Sequence, residues 1–133
     1  METRYQGSPV PVTTHPLTRT KISDGKSVSV TVPENTTVQA GEWVLLDGFF
    51  GVAVQSAKTG PGETKDIILT IEQAEYETDQ VSTSQAFAKG TPLYWNASTK
   101  KFTETETDNR LVGRVTSGKD TNNVIWFALG PQV

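Results

Sequence analysis

The chain has 133 residues, no cysteine and a formal net charge of −3 at pH 7, so we expect one domain whose core forms without disulfides, thiolate metal sites or a cysteine nucleophile. The first residues contain no apolar stretch of the signal-peptide type, and no apolar run approaches the ~18 residues of a membrane span, so we expect neither feature. Twenty threonines, with many valines and glycines, favour β-structure.

Residues 1–25 predict an extended arm that has no core of its own. The segment contains three prolines, and each proline lacks a backbone donor and biases the preceding residue towards extended geometry. The alternative is a disordered tail. Residues 1–26 hold four basic and two acidic side chains, a net +2, whereas residues 27–133 hold eight basic and thirteen acidic ones, a net −5. The acidic body lacks the basic surface that nucleic-acid binding requires, so we expect no nucleic-acid partner.

Residues 26–133 predict a β domain. It begins with KSVSVTV, where valine at every second position has the period of a half-buried strand. Asp47-Gly48 is a hairpin signal between two apolar runs, and only residues 82–90 look helical, for two turns at most. Eight or nine short strands predict an all-β fold, a small barrel or sandwich. The predicted strands are residues 26–32, 42–48, 49–56, 65–73, 91–95, 100–107, 111–117 and 124–130, and residues 74–81 either extend the fourth or form a ninth.

The two halves of the β domain contain a weak internal repeat. AGEWVLL, FGVAVQSAK and IILTIE follow one another in the first half, and KGTPLYW, VGRVTSGK and VIWFAL follow one another in the second. The alternatives are a duplication and two hairpins that solve the same packing problem. The alignment places Leu93 and Trp95 at the positions of Val44 and Leu46, so we expect one face of that strand to point into the core.

GRVTSGKD, residues 113–120, nearly matches the phosphate-binding loop of nucleotide-binding proteins. That loop needs a Ser or Thr after the lysine and a helix whose N-terminus faces the phosphates. Asp120 occupies the hydroxyl position, and the residues after it read as a turn and a strand. We therefore predict a plain hairpin loop here.

Two rows of alternating carboxylates form the next candidate. Alternation places each row on one face of its strand. Such carboxylates can serve acid–base chemistry or bind a hard cation, but the favoured interpretation is a solvated outer face that discourages pairing between strand edges. The first row is Glu75, Glu77 and Asp79, and the second is Glu104, Glu106 and Asp108.

The remaining candidates also favour structural roles. His15, the single histidine, lies beside a proline in the arm and has no evident catalytic partner, and one histidine without cysteine does not supply the ligand set of a zinc site. Asn96-Ala-Ser is interpreted as a tight turn. Trp43, Trp95 and Trp126 each lie in an apolar strand, which predicts core packing rather than a stacking platform. We expect no catalytic residue, no metal and no cofactor.

The chain resembles a family of small bacteriophage head proteins, the capsid cement or decoration proteins. SVSVTVPENTTVQAGEWVLLDGFFGVAV is similar to the start of that family's pattern, and AKGTPLYWNASTKKFTETETDNRLVGRV and NVIWFAL are similar to its second half. The resemblance covers roughly residues 26–130 and consists of glycines and apolar strands. Some members carry a recombinase label, which the failed phosphate loop does not support. The arm is longer and more basic than the start expected of the family.

The resemblance implies a structural, non-enzymatic protein that binds the outer surface of the phage head and stabilises contacts between major capsid protein subunits. It further implies a homo-oligomer, with a trimer favoured, that is made in the host cytoplasm, carried on the virion and bound to no nucleic acid or membrane. The alternatives are a carbohydrate- or host-surface-binding module of a phage tail or fibre, which would need Tyr94 or Trp95 exposed, and a glycosidase that uses the carboxylate rows. The residues expected to contact the capsid are in the arm: Arg4, Tyr5, Val10, Val12, His15, Leu17, Arg19 and Lys21.

Overall fold

The structure, a computed structural model, describes residues 19–133. These residues form eleven β-strands and, within this range, no helix, so the predicted all-β fold is confirmed. The strands are β1 (Ser27–Val32), β2 (Thr37–Val38), β3 (Trp43–Leu46), β4 (Phe49–Ala53), β5 (Ala57–Lys58), β6 (Lys65–Thr70), β7 (Glu75–Thr78), β8 (Pro92–Asn96), β9 (Lys101–Thr103), β10 (Arg110–Ser117) and β11 (Ile125–Leu129).

The first half of the domain is an antiparallel sheet in the order β1-β6-β4-β3, beside a two-stranded sheet of β2 and β5. The predicted hairpin turn between β3 and β4 is confirmed. Asp47 and Gly48 have φ angles of 53° and 82°, and two positive φ angles in a two-residue loop match the right-handed twist of the flanking strands. Leu46 and Phe49 therefore pair directly across the turn.

The second half is an antiparallel sheet in the order β7-β11-β10-β8-β9. It curls into a half-barrel, and the segment after β7 crosses its open side. Val81 forms a parallel bridge with Phe102 of β9, the Phe102 N–H donates to the Gln80 carbonyl at 2.9 Å, and the Ser82 N–H donates to the Phe102 carbonyl at 3.1 Å. These bonds satisfy the outer edge of β9, so the chain that leaves one end of the sheet returns to the other end.

The internal repeat has a structural counterpart. Strands β3, β4 and β6 lie in the same order as β8, β10 and β11. Gly41 and Gly90, with φ angles of 89° and 90°, precede the equivalent strands β3 and β8. Their N–H groups donate to equivalent carbonyls, of Ala53 at 2.8 Å and of Val115 at 2.9 Å. The two halves therefore repeat one local geometry as well as one strand order.

One glycine in each half allows close strand packing. A Cβ on Gly51 would collide with the Thr70 carbonyl of β6, and a Cβ on Gly113 would collide with the Ala128 carbonyl of β11. Because these carbonyls belong to the neighbouring strand backbone, neither can move aside cheaply. The glycines in FGV and VGR are therefore required by the approach of the next strand.

The β3–β4 hairpin is shared by the two hydrophobic cores of the domain. Its alternation directs Trp43 and Phe50 towards the half-barrel core, and Val44 and Ala53 towards the core of the first sheet. The Trp43 and Phe50 rings stack with centroids 5.5 Å apart. The half-barrel core also contains Val81, Phe87, Leu93, Trp95, Phe102, Val112, Val115, Ile125, Phe127 and Leu129.

Two glutamine side chains join the halves by bonding to backbone as a neighbouring strand would. The Gln80 amide accepts from the Trp43 N–H at 2.9 Å and donates to the Trp43 carbonyl at 2.9 Å and the Lys100 carbonyl at 3.0 Å. The Gln132 amide accepts from the Phe50 N–H and donates to the Phe50 carbonyl, both at 2.9 Å. Both amides thus satisfy backbone groups of the β3–β4 hairpin, beside its buried aromatic rings.

The helix predicted at residues 82–90 is wrong, because this segment is an irregular loop. Phe87 is fully buried in the half-barrel core and has a φ of 50°, which a helix does not allow. The Lys119 ammonium donates to the Thr83 carbonyl at 3.0 Å and to the Gln85 carbonyl, and Glu104 accepts from the Phe87 N–H. Side chains distant in sequence thus satisfy the loop backbone and leave no need for helical hydrogen bonds.

The strand alignment predicted for Leu93 and Trp95 is confirmed, since both are buried in the half-barrel core. Val44 is also buried, and Leu46 is half-buried against the core of the first sheet. The division into an arm at residues 1–25 and a body at residues 26–133 stays a prediction.

Candidate functional site

The segment that resembles a phosphate-binding loop is part of the β10–β11 hairpin, as predicted. The Asp120 carboxylate accepts from the Asn122 N–H at 2.8 Å and from the Val124 N–H at 3.0 Å. The aspartate that breaks the motif therefore closes a turn that leads into β11. A following helix N-terminus, which the phosphate chemistry requires, is replaced here by a strand.

The first carboxylate row lies where alternation predicts. Glu75, Glu77 and Asp79 are exposed, and the Glu75 carboxylate accepts from the Thr116 hydroxyl. The row therefore forms a solvated margin along β7.

The alternation predicted for the second row, Glu104, Glu106 and Asp108, is wrong. Strand β9 ends at Thr103, and the chain then forms a turn closed by a bond from the Asn109 N–H to the Glu106 carbonyl at 3.1 Å. Glu104 is half-buried and holds the Phe87 loop, whereas Asp108 has a φ of 62° in the turn. The Glu104 carboxylate therefore holds a loop, and Glu106 and Asp108 lie in a turn, so the three residues do not alternate along one strand.

Residues 19–133 contain no group of three or more His, Cys, Asp or Glu side chains placed to hold a metal ion. In the same range no helix has the length and apolar character to cross a membrane. Burial, with a smaller contribution from the charge of Glu72, raises the pKa of Tyr76 above its ordinary value of 10.0, and the Tyr76 hydroxyl donates to the Glu72 carbonyl at 2.7 Å. Since this hydroxyl is engaged with backbone, its shifted pKa reflects packing.

The prediction that all three tryptophans pack in the core is wrong for Trp126. Trp43 and Trp95 are each 3% exposed, as expected of core residues, but Trp126 is 50% exposed. It lies on the outer face of β11, opposite Glu77 in the β7–β11 register. With Glu75 and Tyr76 these two residues line a shallow groove of about 270 Å³. We call this surface, Trp126 with Glu75 and Glu77, the acidic tryptophan face.

The signal for this exposure is present in the sequence. In IWFAL the side chains of β11 alternate, and Ile125, Phe127 and Leu129 are buried while Trp126 and Ala128 are exposed. The prediction of core packing for Trp126 rests on the apolar character of the whole strand. Residues 19–133 cover only one face of β11, so period two decides which of its side chains are exposed.

Within residues 19–133, strand β7 also presents a backbone edge that no other strand pairs with. The Leu129 N–H donates to the Ala74 carbonyl at 3.0 Å, so the residues at even positions in β7 face β11. Antiparallel strands alternate in bonding direction, which leaves the N–H and C=O groups of Glu75 and Glu77 on the outer edge. The acidic tryptophan face therefore combines an exposed ring, two carboxylates and two donor–acceptor pairs.

Of the eight residues expected to contact the capsid, Arg19 and Lys21 lie in the described range. Both are exposed, and Lys21 pairs with Asp24 at 2.6 Å. Ile22 beside them is 86% exposed, so the described root of the arm extends into solvent before the chain enters β1. The other six lie outside the described residues: Arg4, Tyr5, Val10, Val12, His15 and Leu17.

A comparison with family models gives one finding. The model of a family described as phage cement protein matches residues 22–129, which covers all three sheets and both hydrophobic cores. No curated protein and no solved structure matches the chain.

Proposed function

This chain belongs to the phage cement protein family, and from that premise we propose that it binds the outer surface of the assembled head and stabilises contacts between major capsid protein subunits. Membership in the family indicates a structural capsid role. The family match carries this proposal. The shape of the described chain is compatible with it, because a body with two hydrophobic cores is joined to an exposed segment that can reach a partner.

The arm is the proposed anchor. Arg19 and Lys21 are exposed at its root, and the arm with Lys26 carries a net +2 whereas the remaining chain carries a net −5. An acidic capsid surface would attract the positively charged arm and repel the negatively charged body. This charge separation would orient the body away from the shell. Residues Arg4, Tyr5, Val10, Val12, His15 and Leu17 supply the remaining proposed contacts.

Many copies act together on one head. Each copy that bridges two capsid subunits adds a contact that must break before those subunits separate, and repetition over the shell makes modest affinities effective. We place the protein on the outside of the head as a homo-oligomer, with a trimer favoured, synthesised in the cytoplasm of the host. This role requires no catalytic residue and no cofactor.

The experiment compares binding to purified undecorated heads by the wild type and by a chain that lacks residues 1–20. We expect the wild type to saturate the heads and the truncated chain to lose occupancy. The matched charge variant R19E/K21E keeps the length of the arm. It should weaken binding more at low salt than at high salt, because salt screens the electrostatic attraction between the arm and the capsid. Unchanged occupancy after truncation would overturn the anchor, and a wild type that fails to bind heads would overturn the cement role.

The alternative of a carbohydrate-binding module needs an exposed aromatic ring at Tyr94 or Trp95. Trp95 is buried among the rings of Phe50 and Phe102, with centroids 4.9 and 5.4 Å away, and Tyr94 is half-buried. Since sugars stack on open ring faces, this site does not offer the platform that the alternative requires. The capsid role is therefore the function we propose.

A further inference from the structure

The edge of β7 differs from the equivalent edge in the first half of the domain. By the internal repeat, β1 corresponds to β7 and Ser29 to Glu77. The edge of β1 is partly satisfied within the fold, because the Asp47 carboxylate accepts from the Thr31 N–H at 2.7 Å. Beside the edge of β7 lie two exposed carboxylates and the half-exposed indole of Trp126. Within residues 19–133, no group forms a hydrogen bond with the outward backbone groups of Glu75 and Glu77. This edge can therefore accept an added strand.

The arm contains a segment suited to such an edge. Residues 9–14 read PVPVTT. In an extended chain alternate residues direct their N–H and C=O groups to the same edge, so Pro9 and Pro11 share one edge and Val10 and Val12 share the other. The proline edge has lost its donors and cannot continue a sheet. The valine edge keeps two donors and two acceptors, the same number that Glu75 and Glu77 present outward.

We infer that residues 9–14 of one copy add as a terminal strand to the β7 edge of a neighbouring copy on the head. The inference rests on the proposed function, which brings copies together on one shell. In this arrangement Val10 and Val12 bond to the neighbouring copy through their backbone groups, the charged residues of the arm keep their proposed contacts with the capsid, and apolar side chains of the arm cover the exposed part of Trp126. The prolines end the added sheet after one strand, so the contact links two copies without starting a fibril.

The direction of residues 19–25 favours the β7 edge of a neighbouring copy, rather than that of the same chain, as the site where the arm binds. Residues 19–25 are all exposed, and Ile22 makes little contact with its own body. The described bonds of this segment, Lys21 to Asp24 and the Gly25 N–H to the Ser23 hydroxyl, are internal. The twelve Cα-to-Cα steps from residue 14 to residue 26 span up to about 40 Å when extended, which is enough to leave the body and reach another. The arm's net positive charge also complements the carboxylates of β7.

The test uses disulfides, because the chain has no cysteine. Two full-length variants with one cysteine each, V10C and E77C, are mixed on undecorated heads and oxidised mildly, and E75C replaces E77C in a second mixture to cover both registers. Bonded cross-strand pairs have Cα atoms about 5.5 Å apart, a distance that suits a disulfide. We expect a V10C–E77C or V10C–E75C dimer on non-reducing gels, in excess over the products of either variant alone.

Proline substitutions provide a matched pair of controls in the arm. Val12→Pro removes a donor from the proposed bonding edge, whereas Thr13→Pro removes one from the opposite edge. We expect V12P to lower the yield of mixed disulfide about tenfold, the effect of losing roughly one such bond, and T13P to leave it within about twofold. Both changes lie outside residues 19–133, which contain the eleven strands and both cores, so we expect the same thermal unfolding for both variants.

Four outcomes would overturn the inference: no mixed disulfide, equal loss with V12P and T13P, preferential coupling of V10C to S29C on the β1 edge, or a disulfide only within one chain in the double variant V10C/E77C. The wild type's binding to heads is measured in parallel. If the wild type fails to bind, the cement role is refuted, and the same mixture at high concentration in free solution still reports whether the arm adds to the β7 edge.

Discussion

Replacing Gln80 with alanine tests whether one side-chain amide joins the two halves of the domain. The substitution removes three hydrogen bonds, two to the Trp43 backbone and one to the Lys100 carbonyl. At about 1 kcal/mol each, and with some return of water to a half-buried site, we expect the free energy of unfolding to fall by about 2–3 kcal/mol. For a domain of this size that lowers Tm by roughly 10 °C.

The measurement is urea unfolding followed by tryptophan fluorescence, since Trp43 and Trp95 pass from a buried site to water. Gln73→Ala is the matched control, because Gln73 is exposed and its loss should change stability by less than about 0.5 kcal/mol. Gln80→Glu keeps the acceptor but places carboxylate oxygens against two carbonyls, so it should destabilise at least as much as alanine. A loss below about 1 kcal/mol for Gln80→Ala, or one equal to the control, would refute the proposed link between the halves.

Three further predictions concern single sites. Burial raises the pKa of Tyr76, so the contribution of Tyr76 to the free energy of unfolding is complete below pH 10 and declines as the pH rises through the higher folded-state pKa. In urea titrations, the wild type should therefore exceed Tyr76→Phe in stability by less above pH 10 than below it. Phe87→Ala should cost about 3–5 kcal/mol, because the ring is fully buried, and a value typical of an exposed loop would contradict its role in the core. Gly113→Ala should lower the free energy of unfolding by about 1–3 kcal/mol in the same assay, since the added Cβ meets the Ala128 carbonyl. Gly130→Ala should lower it less, because the atom nearest to its added Cβ is 3.4 Å away. Equal losses would argue against the close approach of β10 and β11.

Local signals in the sequence were sufficient for much of the fold. Alternating valines predicted β1, and Asp47-Gly48 predicted the hairpin turn that its positive φ angles produce. The repeated glycine and apolar pattern corresponds to two sheets with the same strand order. Each of these features depends on a few adjacent residues, because period and turn chemistry are local properties of the backbone.

The candidate site could be predicted only in part. Alternation placed Glu75 and Glu77 on a solvated face, and it could also have shown that Trp126 shares the outer side of its strand. The position of β7 at the end of the sheet formed by the described residues could not be predicted, because it depends on which strands pair. The arm residues expected to contact the capsid stay a prediction, tested by the binding experiments.

By itself, the sequence determined the strand period, the turns, the absence of thiol chemistry and the family resemblance that the family match confirms. Only the tertiary structure decided that Gln80–Ser82 closes the half-barrel against β9, and that Phe87 leaves a helical pattern to fill its core. The physical reason is that both outcomes depend on groups distant in the chain. Lys119 and Glu104 form hydrogen bonds with the loop backbone around Phe87. Local propensity does not specify which distant side chains will lie next to this loop.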